Sequence, residues 1–466
     1  MIKKFSVILT TVAVLLAVVA ACNNSANLPD PDETEGTEPE KLSLSLVVDH
    51  DWVWESRPSI TVHAKNPNNQ PVSTEVKLVI TTDKKAPVTT VTRTVELAKS
   101  AEQDIVVTTD EDLPAGFYRA ACTLNGQPAQ LQMKNGKLST VVFGISPEKI
   151  VSAPDKQPDF DKFWAAAKEQ LAKVDMKAEL TEITGRSSSD CKVYLVEMQS
   201  VPDGPEGDPV TVRGYYLEPQ DGKKHPVLVH FFGYDDQKPV SKLSCPYGGS
   251  SPVFAEFYLS TRGQIINNRT ANLREPDGKG DFVNIYGDWF AYNFGKRDAY
   301  YYRGAFMDCV QAIRFMATRP TSDMENVFAE GSSQGGAFSY AAAALSDYPL
   351  RAIAPCVAFL GDFPDYFDIV TWPGDTARSN KGTMTDEEMF AFLSYFDTKN
   401  LATRISCAVI ACSGLQDGTC PPHTNIAPFN NLQSKDKQYY YYPTRQHEIP
   451  SDWPGKWEKF FKERIK

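Results

Sequence analysis

The stretch that most constrains this 466-residue chain is Gly331-Ser332-Ser333-Gln334-Gly335-Gly336. A short apolar run, Val327-Phe328-Ala329, precedes it, and an alanine-rich stretch from Ala337 to Leu345 follows. That order predicts a strand, a sharp turn and a helix. Glycines two positions either side of a serine suit a turn where larger side chains would clash and where the serine backbone is strained. The serine hydroxyl then stands clear of the sheet at a helix N-terminus, whose dipole favours negative charge. Gly331 and Gly335 frame Ser333, so Ser333 is the candidate nucleophile and Ser332 the spacer. A G-x-S-x-G alone also fits a plain glycine-rich loop; the flanking strand and helix separate the two readings.

A serine nucleophile needs a base, and the base needs an orienting acid. When the serine sits on such an elbow, the expected fold is an α/β-hydrolase, a doubly wound, mostly parallel sheet with chain order Ser, Asp or Glu, His. Only His423 and His447 follow Ser333. The apolar run Cys407 to Cys412 predicts a buried strand, and Asp417 lies just past it, where catalytic groups collect in open α/β sheets. The next expected strand, Gln438 to Tyr442, ends at Pro443; His447 lies on the loop behind it, and a closing helix is expected from about Trp457. His447 is therefore preferred to His423, whose Pro-Pro-His-Thr setting reads as an exposed or capping histidine. In this arrangement His447 takes the Ser333 proton, and Asp417 holds the imidazole in the right tautomer. Two backbone N–H groups should receive the oxyanion, one from Gln334 and one from the loop after the strand Pro226 to Phe231. Tyr234 is the candidate for the second, although its ring could equally serve only to pack. His230, inside that strand, reads as a core histidine.

Several motifs together resemble the acetyl xylan esterase and cephalosporin C deacetylase family, carbohydrate esterase family seven. They are Ser-Gln-Gly-Gly at 333–336, Arg262-Gly263-Gln264, Gly414-Leu415-Gln416-Asp417 with Cys420-Pro421-Pro422, and His447-Glu448. Tyr300-Tyr301-Tyr302-Arg303, Phe359-Leu360, and Pro158-Asp159-Phe160 leading into Phe163-Trp164 add to them. The similarity runs from about residue 147 to the end. The resemblance implies a triad of Ser333, Asp417 and His447, an oxyanion hole of Tyr234 and Gln334, and removal of acetyl groups from acetylated sugars or similar small esters without metal or cofactor. It also admits a homo-oligomer, which an added domain could block. The chain departs from the family at Phe232, where a histidine is usual, at Ser332, where glycine is usual, and between Gln264 and Tyr300. That unmatched stretch is aromatic, with Phe282, Tyr286, Trp289, Phe290, Tyr292 and Phe294. It reads either as a sugar-stacking rim or as a loop packing its own small core.

The N-terminal third has a different character. Lys3 and Lys4 followed by an apolar Phe5 to Ala21 read as a targeting segment. Val19-Ala20-Ala21-Cys22 looks like the cleavage site of a bacterial lipoprotein, with Cys22 the lipid attachment point; an ordinary signal or an uncleaved anchor are the alternatives. An exported lipoprotein of the cell envelope, facing the periplasm or the surface, is the expected location. Residues 23–41 carry six acidic groups among Pro, Gly and Thr and read as a solvated tether. Residues 42–145 show about seven short alternating strands with Asn-Gly turns at 125–126 and 135–136, an immunoglobulin-like β-sandwich before the hydrolase at 146–466. It could bind glycan, pack on the hydrolase or act as a spacer, and the spacer or packing reading is preferred.

Forty-eight basic against 59 acidic residues leave a net charge of −11, which argues against nucleic acid as a partner. The nine cysteines show no zinc spacing, and Cys309, Cys356 and Cys407 fall in expected core elements. Two rival functions remain: a peptidase of the prolyl oligopeptidase type, and a non-catalytic glycan-binding surface lipoprotein. The short sandwich in place of a repeat propeller argues against the first, and the complete Ser, Asp and His set against the second.

Overall fold

A computed structural model describes residues 40–234, 253–264 and 285–466. The expected targeting segment, Cys22, nearly all of the tether, and Phe282 lie outside the described residues. Residues 41–466 form one compact unit. Among the described residues, no helix is long and apolar enough to cross a membrane.

The strands from Ser43–Val47 to Val141–Ile145 sort into two main sheets and a two-stranded hairpin of Leu131–Met133 with Gly136–Leu138. One orders Ser43–Val47, Ser59–Lys65 and Glu102–Thr108; the other runs Val141–Ile145, Gly116–Leu124, Val72–Thr82, Pro87–Leu97, with short edge pieces. The pairings among these seven strands are antiparallel, and the short edge piece Val53–Trp54 adds parallel to Val141–Ile145, giving the layout of an immunoglobulin-like sandwich. Alternation decides the faces: Ile60, Val62 and Ala64 point inward with Val76, Leu78 and Ile80 from the opposite sheet. Asn125 and Gly126 both take positive φ, 46° and 75°, as a tight two-residue turn demands.

The second part is built on a nine-stranded sheet. Its order is Glu179–Glu182, Cys191–Ser200, Val210–Pro219, Ala255–Ser260, His225–Phe231, Ser322–Ser332, Ala352–Cys356, Ala408–Gly414, Lys437–Tyr442. The first three pairings are antiparallel and the remaining five parallel. Both faces are covered, as a parallel sheet requires. Val227, Val229, Val327 and Ala329 belong to the core shared with the helix Tyr301–Ala317; Leu228, Phe328 and Ile410 face Trp453, Phe460 and Phe461 of the last helix. That helix, Trp453–Lys462, begins four residues before the expected Trp457. Pro454 occupies its first turn, where a missing N–H leaves no intrahelical bond unmade.

The helix Tyr301–Ala317 buries Phe306, Val310 and Ile313, whose spacing forms one apolar stripe along it. Asp308 lies off that stripe yet is fully buried, because its carboxylate receives Arg262 Nη2 at 2.8 Å, Arg262 Nε at 3.0 Å and Ser200 Oγ at 2.6 Å. A Cβ on Gly304 would stand 2.2 Å from Arg262 Nη1, so the glycine makes room for the guanidinium. The described part of the aromatic insertion packs inward. Tyr286, Trp289, Phe290 and Phe294 are buried, and Trp289 stacks on Tyr301 at 5.4 Å. That is the small-core arrangement rather than an open stacking rim. Cys191 is disulfide-bonded, while Cys122, Cys309, Cys356, Cys407, Cys412 and Cys420 are free thiols.

Candidate active site

The strand Ser322–Ser332 runs into Ser333 and then directly into the helix Gln334–Leu345. Ser333 sits at φ 56°, ψ −121°, a backbone state that non-glycine residues adopt only when their surroundings enforce it. The enforcement is steric and visible. A Cβ on Gly331 would lie 2.5 Å from the Gly335 carbonyl, and one on Gly335 would lie 2.2 Å from the Phe231 carbonyl oxygen. Ser333 N–H donates to Cys356 O, and Phe359 N–H donates to Ser333 O, both at 2.9 Å, pinning the turn to the neighbouring strand.

Two loops at the same edge of the sheet reach the serine. Behind the strand Ala408–Gly414, Asp417 is buried; its Oδ1 accepts the Thr419 and Cys420 N–H groups at 2.8 Å each. Behind Lys437–Tyr442, His447 places Nδ1 2.8 Å from Asp417 Oδ2 and Nε2 2.9 Å from Ser333 Oγ. Burial works against the imidazolium, but the contacts with Asp417 and Cys420 outweigh it and push His447 up to about 10. Asp417 thus orients the imidazole towards the hydroxyl and favours the charged form that His447 takes on when it accepts the Ser333 proton.

The loop after His225–Phe231 borders the serine: a Cβ on Gly233 would stand 3.6 Å from Ser333 Cβ. Gln264 Nε2 donates to Gly233 O at 3.0 Å, which ties the Arg-Gly-Gln triplet to this loop. Among the described residues, neither the Tyr234 N–H nor the Gln334 N–H has an acceptor. The Tyr234 ring is held by its hydroxyl on Asp288 at 2.6 Å and by packing on Trp289 at 4.9 Å. The Gln334 side chain is fixed by Tyr302, whose hydroxyl donates to Oε1 at 2.9 Å.

The remaining histidines are placed differently. His230 is buried, bridging Glu330 at 2.7 Å and Glu256 at 3.0 Å and stacked on Tyr258. His423 is neither exposed nor a cap. It is 9% exposed, with Nδ1 2.9 Å from Asp83 of the sandwich and Nε2 2.9 Å from Asp365. The expectation failed because its partners come from distant parts of the chain, Asp83 340 residues away. Gln416, named in the sequence only as part of the acid-loop motif, links three segments. Its Oε1 accepts Val142 N–H at 2.9 Å, and its Nε2 donates to Val142 O at 3.0 Å and to Pro443 O at 2.9 Å. The sandwich is therefore fastened directly to the loops that carry Asp417 and His447.

An elbow serine, a histidine and a buried aspartate in this chain order on this sheet define a serine hydrolase of the α/β-hydrolase class. The family model for acetyl xylan esterase (AXE1) matches residues 148–464, and the chain belongs to that family, a family of serine-type carboxylic ester hydrolases. It is 25% identical over 326 residues to the acetyl esterase Axe7A of Xylanibacter ruminicola, covering 67% of this chain and 68% of that protein. Among solved structures, acetyl xylan esterase 1 from a Thermoanaerobacterium species is 26% identical with a TM-score of 0.57, covering 68% of this chain and 98% of that one. An acetyl xylan esterase from a Paenibacillus species matches the fold at a TM-score of 0.58 and 24% identity, with the same coverages.

Proposed function

We propose that the protein removes acetyl groups from acetylated carbohydrates of the xylan and xylooligosaccharide type, and from similar small acetate esters, through an acetyl-Ser333 intermediate. His447 Nε2 accepts the Ser333 proton as Oγ attacks the acetyl carbonyl, and the carbonyl electrons move onto oxygen. The Tyr234 and Gln334 N–H groups receive that oxyanion. Collapse expels the sugar oxygen, which takes the proton from His447. Water then attacks the acetyl-serine with His447 again as base, releasing acetate and restoring Oγ–H. Asp417 keeps the imidazole oriented and stabilises its charged form. The observation that carries this reading is the pair of contacts at 2.9 and 2.8 Å linking Ser333, His447 and Asp417. The Tyr234 and Gln334 N–H groups, which have no acceptor among the described residues, support it. The amino-terminal pattern supports a further part of the reading, that Cys22 carries a lipid and tethers the enzyme to the cell envelope.

The test is acetate release from acetylated xylooligosaccharides. Ser333→Ala should lower turnover by about five to six orders of magnitude with the fold intact, and Ser332→Ala far less. No release from these or from aryl acetates, or equal losses at both serines, would overturn the assignment.

A further inference from the structure

The sandwich does more than abut the hydrolase. Between them lies a cavity of about 190 Å³, bordered on one side by Phe117, Arg119, Leu138 and Thr140 of the sandwich and on the other by Val370 and Gln446. Asp417 itself lies on its wall, and Gln446 immediately precedes His447. The cavity thus begins at the Asp417 end of the Ser333–His447–Asp417 line. Two hydrogen bonds and one imidazole ring separate it from the nucleophile.

Its charges are unevenly matched. The His423 imidazole is bracketed by Asp83 and Asp365, Lys84 reaches Asp365 and Asp368, and Asp417 holds His447. Arg119, on the sandwich strand Gly116–Leu124, is half-buried and lines the same space, yet its guanidinium has no acidic partner or hydrogen-bond acceptor among the described residues. A guanidinium presents two parallel N–H groups whose geometry matches a carboxylate. The volume lies below the range typical of drug-sized ligands and suits one sugar ring. Leu138 and Val370 supply apolar surface for the C–H face of such a ring.

From these observations we infer that the cavity is a subsite for an acidic sugar, a uronate branch on the acetylated glycan, with Arg119 binding its carboxylate. The inference rests on the glycan-deacetylase reading above and adds the substrate's acidic substituent and the sandwich residue that recognises it. In it the sandwich acts as a specificity element of the esterase.

The experiment compares kcat/KM for acetate release from acetylated xylooligosaccharides with and without a glucuronate branch, using the whole chain. Wild type should prefer the branched substrate by about ten-fold, the usual worth of one charge-assisted contact. Arg119→Gln should bring the ratio near one through KM, and Arg119→Lys should restore part of it. Equal rates on both substrates in wild type, or a preference that survives Arg119→Gln, would overturn the subsite while leaving the esterase reading standing. Turnover of aryl acetates with no release from either oligosaccharide would instead overturn the glycan reading, and the subsite with it.

Discussion

Replacing His423 by glutamine probes the seam between sandwich and hydrolase and has a calculable pH signature. Burial alone would lower the imidazole pKa, but the bonds to Asp365 and Asp83 outweigh it and raise His423 from 6.5 to about 9. Asp362 Oδ2 adds a third carboxylate 3.7 Å from Nε2, and Lys84 sits on the far side of Asp365. Below pH 6.5 the imidazole is charged in both the folded and the unfolded chain, so the whole ion-pair stabilisation is present. As pH rises towards 9 the folded protein alone must keep the proton, and the stabilisation fades; above 9 it is gone. A rise from 6.5 to about 9 corresponds to about 3 kcal/mol of pH-dependent stability. The measurement is urea unfolding of wild type and His423→Gln in parallel between pH 6 and 10, taking the difference so that other titrating groups cancel. Wild type should lead by the largest margin at pH 6, and that margin should shrink by about 3 kcal/mol by pH 10. A margin that does not change with pH, or that grows as pH rises, would refute the ion-pair account of the seam.

Two further outcomes are expected. Asp417→Asn should lower kcat by about four orders of magnitude. Because His447 must be neutral to act as base, kcat/KM rises with pH through its pKa; removing the Asp417 charge should move that limb to lower pH, whereas an unmoved limb would mean that Asp417 does not set the basicity of His447. Cys22→Ser should move the expressed protein from the membrane to the soluble fraction of the envelope, and unchanged partitioning would count against lipidation at that residue.

The chemistry was legible in the sequence wherever it depends on local backbone geometry. An elbow needs glycines at fixed offsets from its serine, because the Phe231 and Gly335 backbones pass where side chains would be. Asp417 and His447 could be placed because each follows a strand that an apolar run announces. Alternation likewise exposed the sandwich strands, since a face that packs must be apolar at every second residue. His423 was misjudged, and the contacts that Gln416 and Asp308 make were not foreseen, for one shared reason. A polar residue in a loop or off a helical stripe looks solvated until its partner is known, and Asp83, Val142 and Arg262 are distant in sequence. The chain's own pattern determined the hydrolase fold, the sandwich and the three residues proposed as the relay, all consequences of short-range sterics and hydrophobic periodicity. Tertiary structure decided that the described part of the aromatic insertion packs inward, that the sandwich grips the acid and histidine loops, and that Arg119 lines a cavity beside them. Those facts are pairings between remote segments, and no local pattern encodes which remote group a polar side chain will meet.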